Sequence, residues 1–189
     1  IPFDLLSSFL LYKFFKNSKQ GFLAFCLWIF NPINLYATYM IGAFDIIPTF
    51  FTIFALYLIT KKTDISKTGF LLVAVVLGIG GAFKIYPLLF LLPLSLLKKT
   101  WLDRLKIIFV GILTYLVPII PFFGSSGFRA TALLAGQTMK SLYPKIDISG
   151  GESIMLFPLF VLFFYIIFLF SKSSTESLWH KFFIILLLF

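Results

Sequence analysis

The chain alternates between long apolar runs and short polar segments. A helix needs roughly 20 apolar residues to cross a hydrocarbon core of about 30 Å. Apolar runs that approach this length predict membrane helices. We therefore predict an all-α fold, a polytopic transmembrane helix bundle of about eight helical segments. These segments are Phe3 to Phe15, Gly21 to Tyr36, Ile46 to Thr60, Gly69 to Phe83, Tyr86 to Leu97, Leu105 to Phe123, Ile154 to Phe170 and Phe182 to Phe189.

Composition supports this fold class. Hydrophobic residues make up 60% of the 189 residues and charged residues only 12%, with 27 phenylalanines. An ordinary soluble domain is about 25% charged, so we predict an integral membrane protein of the cell membrane, or of the endoplasmic reticulum membrane in a eukaryote. Residues 1–189 are expected to form a single domain. The absence of an initiator methionine and the apolar end at Phe189 are typical of a fragment truncated at both ends.

One lysine interrupts the central apolar stretch from Gly69 to Leu97. The stretch contains 29 residues, which is too long for one span and short for two. We predict two helices that meet between Lys84 and Pro87. An ammonium group at membrane depth costs several kcal/mol unless it reaches water, a phosphate or a carboxylate, so Lys84 is a candidate functional residue. The alternative is a lysine at a helix end whose stem lies along apolar surface.

The basic residues divide unequally between the two predicted sides. Four lie on one side: Lys84, Arg129, Lys140 and Lys145. Twelve lie on the other: Lys13, Lys16, Lys19, Lys61, Lys62, Lys67, Lys98, Lys99, Arg104, Lys106, Lys172 and Lys181. The positive-inside rule makes the second side cytoplasmic. The net charge of +9 therefore reflects topology, and it indicates a lipid bilayer partner and no nucleic acid.

Polar residues on the extracytoplasmic side form a candidate binding site. Asn31 and the proline after it end the second helix, and residues 33–45 are predicted to lie at the outer surface. Asp45 then stands before the third helix, where a carboxylate can either cap the helix or bind a ligand. Lys84 suits a phosphate, while Tyr86 offers a hydroxyl and an aromatic face to a sugar or prenyl chain.

The segment 124–153 is predicted to be a long extracytoplasmic loop. Loops of this length are functional or disordered. Residues 128–142 can form an amphipathic helix on the membrane surface, with Arg129 near lipid head groups; a solvated loop is the alternative. The pattern contains no metal-binding spacing and no nucleotide motif, so we predict no metal site and no cofactor.

Several short motifs resemble the GT-C superfamily of membrane glycosyltransferases. These are Trp28 to Pro32, Gly42 to Asp45 and Phe83 to Pro87, followed by Pro93. The closest likeness is to the first mannosyltransferase of GPI-anchor synthesis and to its bacterial and archaeal relatives that use polyprenyl-phosphate mannose. The resemblance covers residues 1–97 and is weak beyond Leu105.

This resemblance implies transfer of a sugar, mannose first, from a polyprenyl-phosphate donor to a glycan or lipid acceptor at the extracytoplasmic face. The superfamily's catalytic acid would precede this chain, and Asp4 is interpreted as an acid that heads a helix, so no catalytic residue is assigned. Five residues are predicted to bind substrate: Lys84, Tyr86, Asp45, Asn31 and Arg129. The alternatives, in order, are a multi-pass transporter and a non-catalytic subunit such as the GPI-transamidase membrane subunit.

Overall fold

The computed structural model describes residues 1–15, 17–61, 67–130, 145–147 and 153–170, which are mostly helical. The helices are α1 (Pro2–Phe14), α2 (Ser18–Ile29), α3 (Pro32–Leu35), α4 (Ile46–Lys61), α5 (Lys67–Phe83), α6 (Tyr86–Leu89), α7 (Leu91–Leu96), α8 (Trp101–Leu116), α9 (Ser126–Phe128) and α10 (Leu156–Phe170). A π-helical turn, Tyr36–Met40, continues α3, and a 3-10 turn, Ile120–Phe122, follows α8.

A two-stranded antiparallel sheet departs from the all-α prediction. Strands β1 (Lys145–Asp147) and β2 (Ser153–Met155) pair antiparallel, with Ile146 opposite Ile154. An isoleucine stands at the centre of each strand, and because the two isoleucines are directly opposite each other, their side chains lie on one face of the sheet. The predicted amphipathic helix at 128–142 lies outside the described residues except at its start, and the apolar run 182–189 lies outside them entirely.

Proline explains two of the helix breaks. The predicted break after α5 is confirmed, because α5 ends at Phe83 and α6 begins at Tyr86 with Pro87 in its first turn. Pro93 has no N–H to donate to the carbonyl of Leu89, four residues earlier, and α6 ends at that residue. The apolar stretch that follows Lys84 is therefore divided into α6 and α7.

The longer helices run back and forth between two ends of the bundle. At one end, Lys84 after α5 contacts Asp45 before α4, with 2.6 Å between Nζ and Oδ1. The ring centroids of Phe3 in α1 and Phe50 in α4 lie 5.3 Å apart near the same end. At the opposite end, Lys98 Nζ lies 3.7 Å from the ring centroid of Phe70, near the start of α5. We call these the Asp45 end and the Lys98 end.

The core lies among α4, α5, α7 and α8. Each of these helices contributes fully buried side chains, among them Ala55, Ile59, Val73, Leu77, Leu94 and Ile107, and Phe90 joins them from the junction of α6 and α7. Glycine allows α5 and α8 to approach closely, because a Cβ built on Gly78 would lie 2.6 Å from the carbonyl oxygen of Gly111. The core packing thus holds α5, and the turn of the chain that follows it at Lys84, against α8.

None of the described helices is by itself both long and apolar enough to cross a membrane. One bent pair, Ser18–Ile29 with Pro32–Met40 at 41°, meets the length and composition criteria together.

Candidate functional site

Two predicted site residues form an ion pair at the Asp45 end. Asp45 immediately precedes α4 and Lys84 immediately follows α5, so the antiparallel packing of these helices brings the two side chains together. Lys84 Nζ donates to Asp45 Oδ1 over 2.6 Å. The side chains keep relative exposures of 54% and 55%. Because the pair is exposed to solvent, it contributes only about 0–1 kcal/mol to stability.

Tyr86, the third candidate, contacts α4 beside this pair. Thr49 Oγ1 donates its single proton to the carbonyl oxygen of Asp45 at 2.6 Å. The hydroxyl of Tyr86 lies 2.8 Å from Thr49 Oγ1, and the two hydroxyls share a hydrogen bond. This chain of hydrogen bonds fixes the start of α6 against the first turn of α4. The structure thus gathers Asp45, Lys84 and Tyr86, which are distant in sequence, into one cluster.

Asn31 and Arg129 have different surroundings. Asn31 caps α3, because its Oδ1 accepts from the backbone N–H of Ile33 at 3.0 Å. It also lines an open groove of about 460 Å³ together with Cys26, Leu27, Phe30 and Pro32. Arg129 is exposed just after α9 and makes no ion pair with Asp45 within the described part of the chain. Substrate binding by the five residues stays a prediction.

A second polar cluster, centred on Asp4, was not predicted as a site. Asp4 lies in the first turn of α1 and is only 4% exposed. Its Oδ1 accepts from Trp28 Nε1 at 2.7 Å and from Asn34 Nδ2 at 2.9 Å, and its Oδ2 accepts from the hydroxyl of Tyr39 at 2.8 Å. Asn34 Oδ1 in turn accepts from Thr38. One carboxylate therefore ties α1 to α2, α3 and the π-helical turn.

One signal of the Asp4 cluster is present in the sequence. Asp4 is an ionisable residue inside an apolar run, and such residues are expected to have a polar partner. Its partners lie 24 to 35 residues further along the chain, at positions that the hydrophobic pattern does not single out. Within the described ranges, no group of three or more His, Cys, Asp or Glu side chains is placed to hold a metal ion.

Comparison with known proteins assigns the family. The family model described as GPI transamidase subunit PIG-U matches residues 7–189. The GPI transamidase component GAB1 of Saccharomyces cerevisiae is 29% identical over 163 residues, which cover 82% of this chain and 40% of GAB1. The chain thus spans less than half the length of this curated relative. No solved structure matches it.

These matches contradict the glycosyltransferase interpretation. The GT-C assignment, the transfer of mannose and the polyprenyl-phosphate donor are wrong, and the transporter alternative is equally contradicted. The physical reason lies in the motifs, since Asn31 caps a helix and Lys84 stands at a break between helices. Helix bundles of many functions need such features, so these motifs carry no transfer chemistry of their own. The third alternative, a transamidase membrane subunit, agrees with the matches, and the chain belongs to the PIG-U family of GPI transamidase subunits.

Proposed function

We propose that this protein is a non-catalytic subunit of a GPI transamidase complex, located in the endoplasmic reticulum membrane as a polytopic helix bundle. The observation that carries the proposal is the match of the PIG-U family model over residues 7–189. GAB1, named as a component of the transamidase, supports the same assignment. The partners of the chain are then other transamidase subunits and the surrounding lipid.

The geometry supports a structural role, in which side-chain contacts hold the helices of the chain together and apolar surface stays exposed. The carboxylates of Asp4 and Asp45 are both engaged by side chains of other elements, and these contacts fix the Asp45 end. Large apolar side chains remain exposed on α2 and α8, among them Leu27 at 65% and Phe109 at 65%. Apolar surface on this scale is typical of contact with lipid or with another protein.

The first prediction concerns replacement of GAB1. In Saccharomyces cerevisiae cells whose GAB1 is switched off, the full-length protein that contains this chain is expected to restore most of the anchoring of a GPI-anchored surface reporter. The reason is that the two proteins share a family and therefore the surfaces that join them to the complex. Anchoring is measured as surface reporter per cell by flow cytometry, with an empty vector as control.

A second measurement makes this experiment decisive across species. The tagged full-length protein, purified gently from its own cells, is expected to bring down the other transamidase subunits. If the protein accumulates in membranes but neither restores anchoring nor co-purifies with those subunits, the proposed function is refuted.

The second prediction concerns topology. From the charge distribution and the antiparallel helices we expect Lys99, next to the Lys98 end, to lie in the cytoplasm and Ser126 on the luminal side. In a Cys26→Ser background, Lys99→Cys is expected to react with an impermeant thiol reagent in sealed microsomes, whose cytoplasmic face points outward. Ser126→Cys should react only after detergent is added. Labelling in the opposite pattern contradicts the topology.

A further inference from the structure

Basic residues are concentrated at the Lys98 end of the bundle. The antiparallel helices bring to this end the turn from α1 to α2, the end of α4, the start of α5 and the turn from α7 to α8. The described residues there include one acidic residue, Asp103, and eight basic residues: Lys13, Lys19, Lys61, Lys67, Lys98, Lys99, Arg104 and Lys106. This end therefore attracts anionic groups.

Side-chain contacts fix the turn from α7 to α8. Arg104 Nε donates to the carbonyl oxygen of Lys98 over 2.7 Å. Thr100 caps α8 by accepting from the backbone N–H of Asp103, and its hydroxyl donates to Asp103 Oδ2 at 2.7 Å. The ammonium group of Lys98 lies over the ring of Phe70 in α5. The backbone between Lys98 and Thr100 is thus held from both sides, so a ligand that binds there has little ordering entropy to overcome.

Charged and apolar side chains lie together on the exposed face of this turn. Lys99 and Lys106 are exposed, and so are Trp101 and Leu102, at 60% and 69%. Leu102 and Lys106 are four residues apart and are therefore neighbours on the surface of α8. Helical side chains lean toward the N-terminus of their helix, so Lys106 extends back toward the level of Lys99. Two cations therefore flank a pair of large apolar side chains.

This combination selects the class of ligand. Tryptophan and lysine at a helix end are typical of the level at which lipid head groups meet hydrocarbon. Two ammonium groups attract a phosphate, but the quaternary cation of a choline lipid offsets that attraction. A soluble anion would satisfy the two lysines and leave Trp101 and Leu102 in water. A phospholipid with a net negative charge fits both parts of the surface.

We propose that the turn from α7 to α8 is a binding site for an anionic phospholipid of the cytoplasmic leaflet. The lipid phosphate lies between Lys99 and Lys106, and an acyl chain lies against Trp101 and Leu102. This inference rests on the membrane location and the topology in the proposed function. A lipid bound in this way anchors the start of α8 at the cytoplasmic surface.

The test is a lipid titration of the purified full-length protein in a neutral detergent, measured by native mass spectrometry. The probes are dioleoyl phosphatidylglycerol, dioleoyl phosphatidylcholine and glycerol 3-phosphate. The parent protein is expected to bind phosphatidylglycerol roughly tenfold to thirtyfold more tightly than phosphatidylcholine, since each lysine near an anionic lipid contributes about fivefold. Glycerol 3-phosphate should bind at least about tenfold more weakly than phosphatidylglycerol, because it has no acyl chain to bury.

Two double variants distinguish a site from diffuse charge. Lys99→Gln combined with Lys106→Gln is expected to weaken phosphatidylglycerol roughly tenfold to thirtyfold and to leave phosphatidylcholine unchanged. The matched control, Lys13→Gln combined with Lys19→Gln, removes two exposed lysines from the same end. It should stay within about threefold of the parent, because charges that do not contact the lipid are screened by salt. Thermal unfolding of each variant shows that the protein is folded.

Three results would overturn the inference. The first is equal affinity of the parent protein for the two lipids. The second is equal weakening of phosphatidylglycerol by the two double variants, and the third is binding of glycerol 3-phosphate as tight as that of phosphatidylglycerol. If the protein restores GAB1 function but shows any of these results, only the lipid site fails. If phosphatidylglycerol binds selectively through Lys99 and Lys106 but the protein neither replaces GAB1 nor co-purifies with transamidase subunits, only the proposed function fails.

Discussion

Asp4→Ala is expected to destabilise the protein by about 3–5 kcal/mol, since a hydrogen bond to a charged group contributes about 1.5–3 kcal/mol. The substitution removes the acceptor for Trp28, Asn34 and Tyr39 at once. The loss is smaller than three full contributions because Tyr39 is 47% exposed and can rebind water. The free energy of unfolding of the full-length protein, measured in a denaturant series in detergent, checks this value.

The control is Asp103→Ala, which removes the acid from the first turn of α8. Asp103 interacts with Thr100 at the helix N-terminus, so its loss is expected to cost only about 1 kcal/mol. A double-mutant cycle with Trp28→Phe should give a coupling energy of at least about 0.5 kcal/mol, because the two residues share a hydrogen bond. Equal stability of Asp4→Ala and the parent would contradict a stabilising role of the Asp4 cluster.

Gly78→Ala is expected to destabilise the protein by about 1–3 kcal/mol, despite the higher helix propensity of alanine. The added Cβ would lie 2.6 Å from the carbonyl oxygen of Gly111 and 2.7 Å from Cβ of Thr114. Neither atom can move easily, since one belongs to the backbone of α8 and Thr114 is held by a hydrogen bond to the carbonyl of Val110. Gly78→Val should cost more, because its two further carbons meet the same surface.

Gly124→Ala provides the matched control for this packing. A Cβ at Gly124 would meet no atom within 4 Å, so the unfolding free energy should change by less than about 0.5 kcal/mol. The measurement is the same denaturant series. If Gly78→Ala were as stable as Gly124→Ala, the close approach of α5 and α8 would be refuted.

Much of the helical layout could be predicted from the apolar runs along the chain. The run Ile46 to Thr60 became α4, and the run Gly69 to Phe83 became α5 with the same last residue. The length of the apolar stretch also indicated the break at Lys84, because a bilayer-sized helix cannot use 29 residues. The strands Lys145–Asp147 and Ser153–Met155 were missed, since three-residue strands leave too short an alternation to recognise beside long apolar runs.

The candidate site was predicted only in part. Lys84, Asp45 and Tyr86 were singled out because each is a polar residue at the end of an apolar run, and the structure places them together. Asp4 was interpreted only as the acid that heads a helix, and its burial and partners were not anticipated. The function was misassigned because short motifs around helix breaks are not specific to sugar transfer.

Local chemistry decides where helices begin and end in this protein. Proline removes a backbone donor and asparagine supplies a cap, so the breaks at Asn31 and at Lys84 can be read from neighbouring residues alone. Contacts between distant residues depend on helix packing, which the one-dimensional pattern does not contain. Only the approach of α5 to α4 paired Lys84 with Asp45, and only the packing of α1 against α2 and α3 buried Asp4 among its three donors.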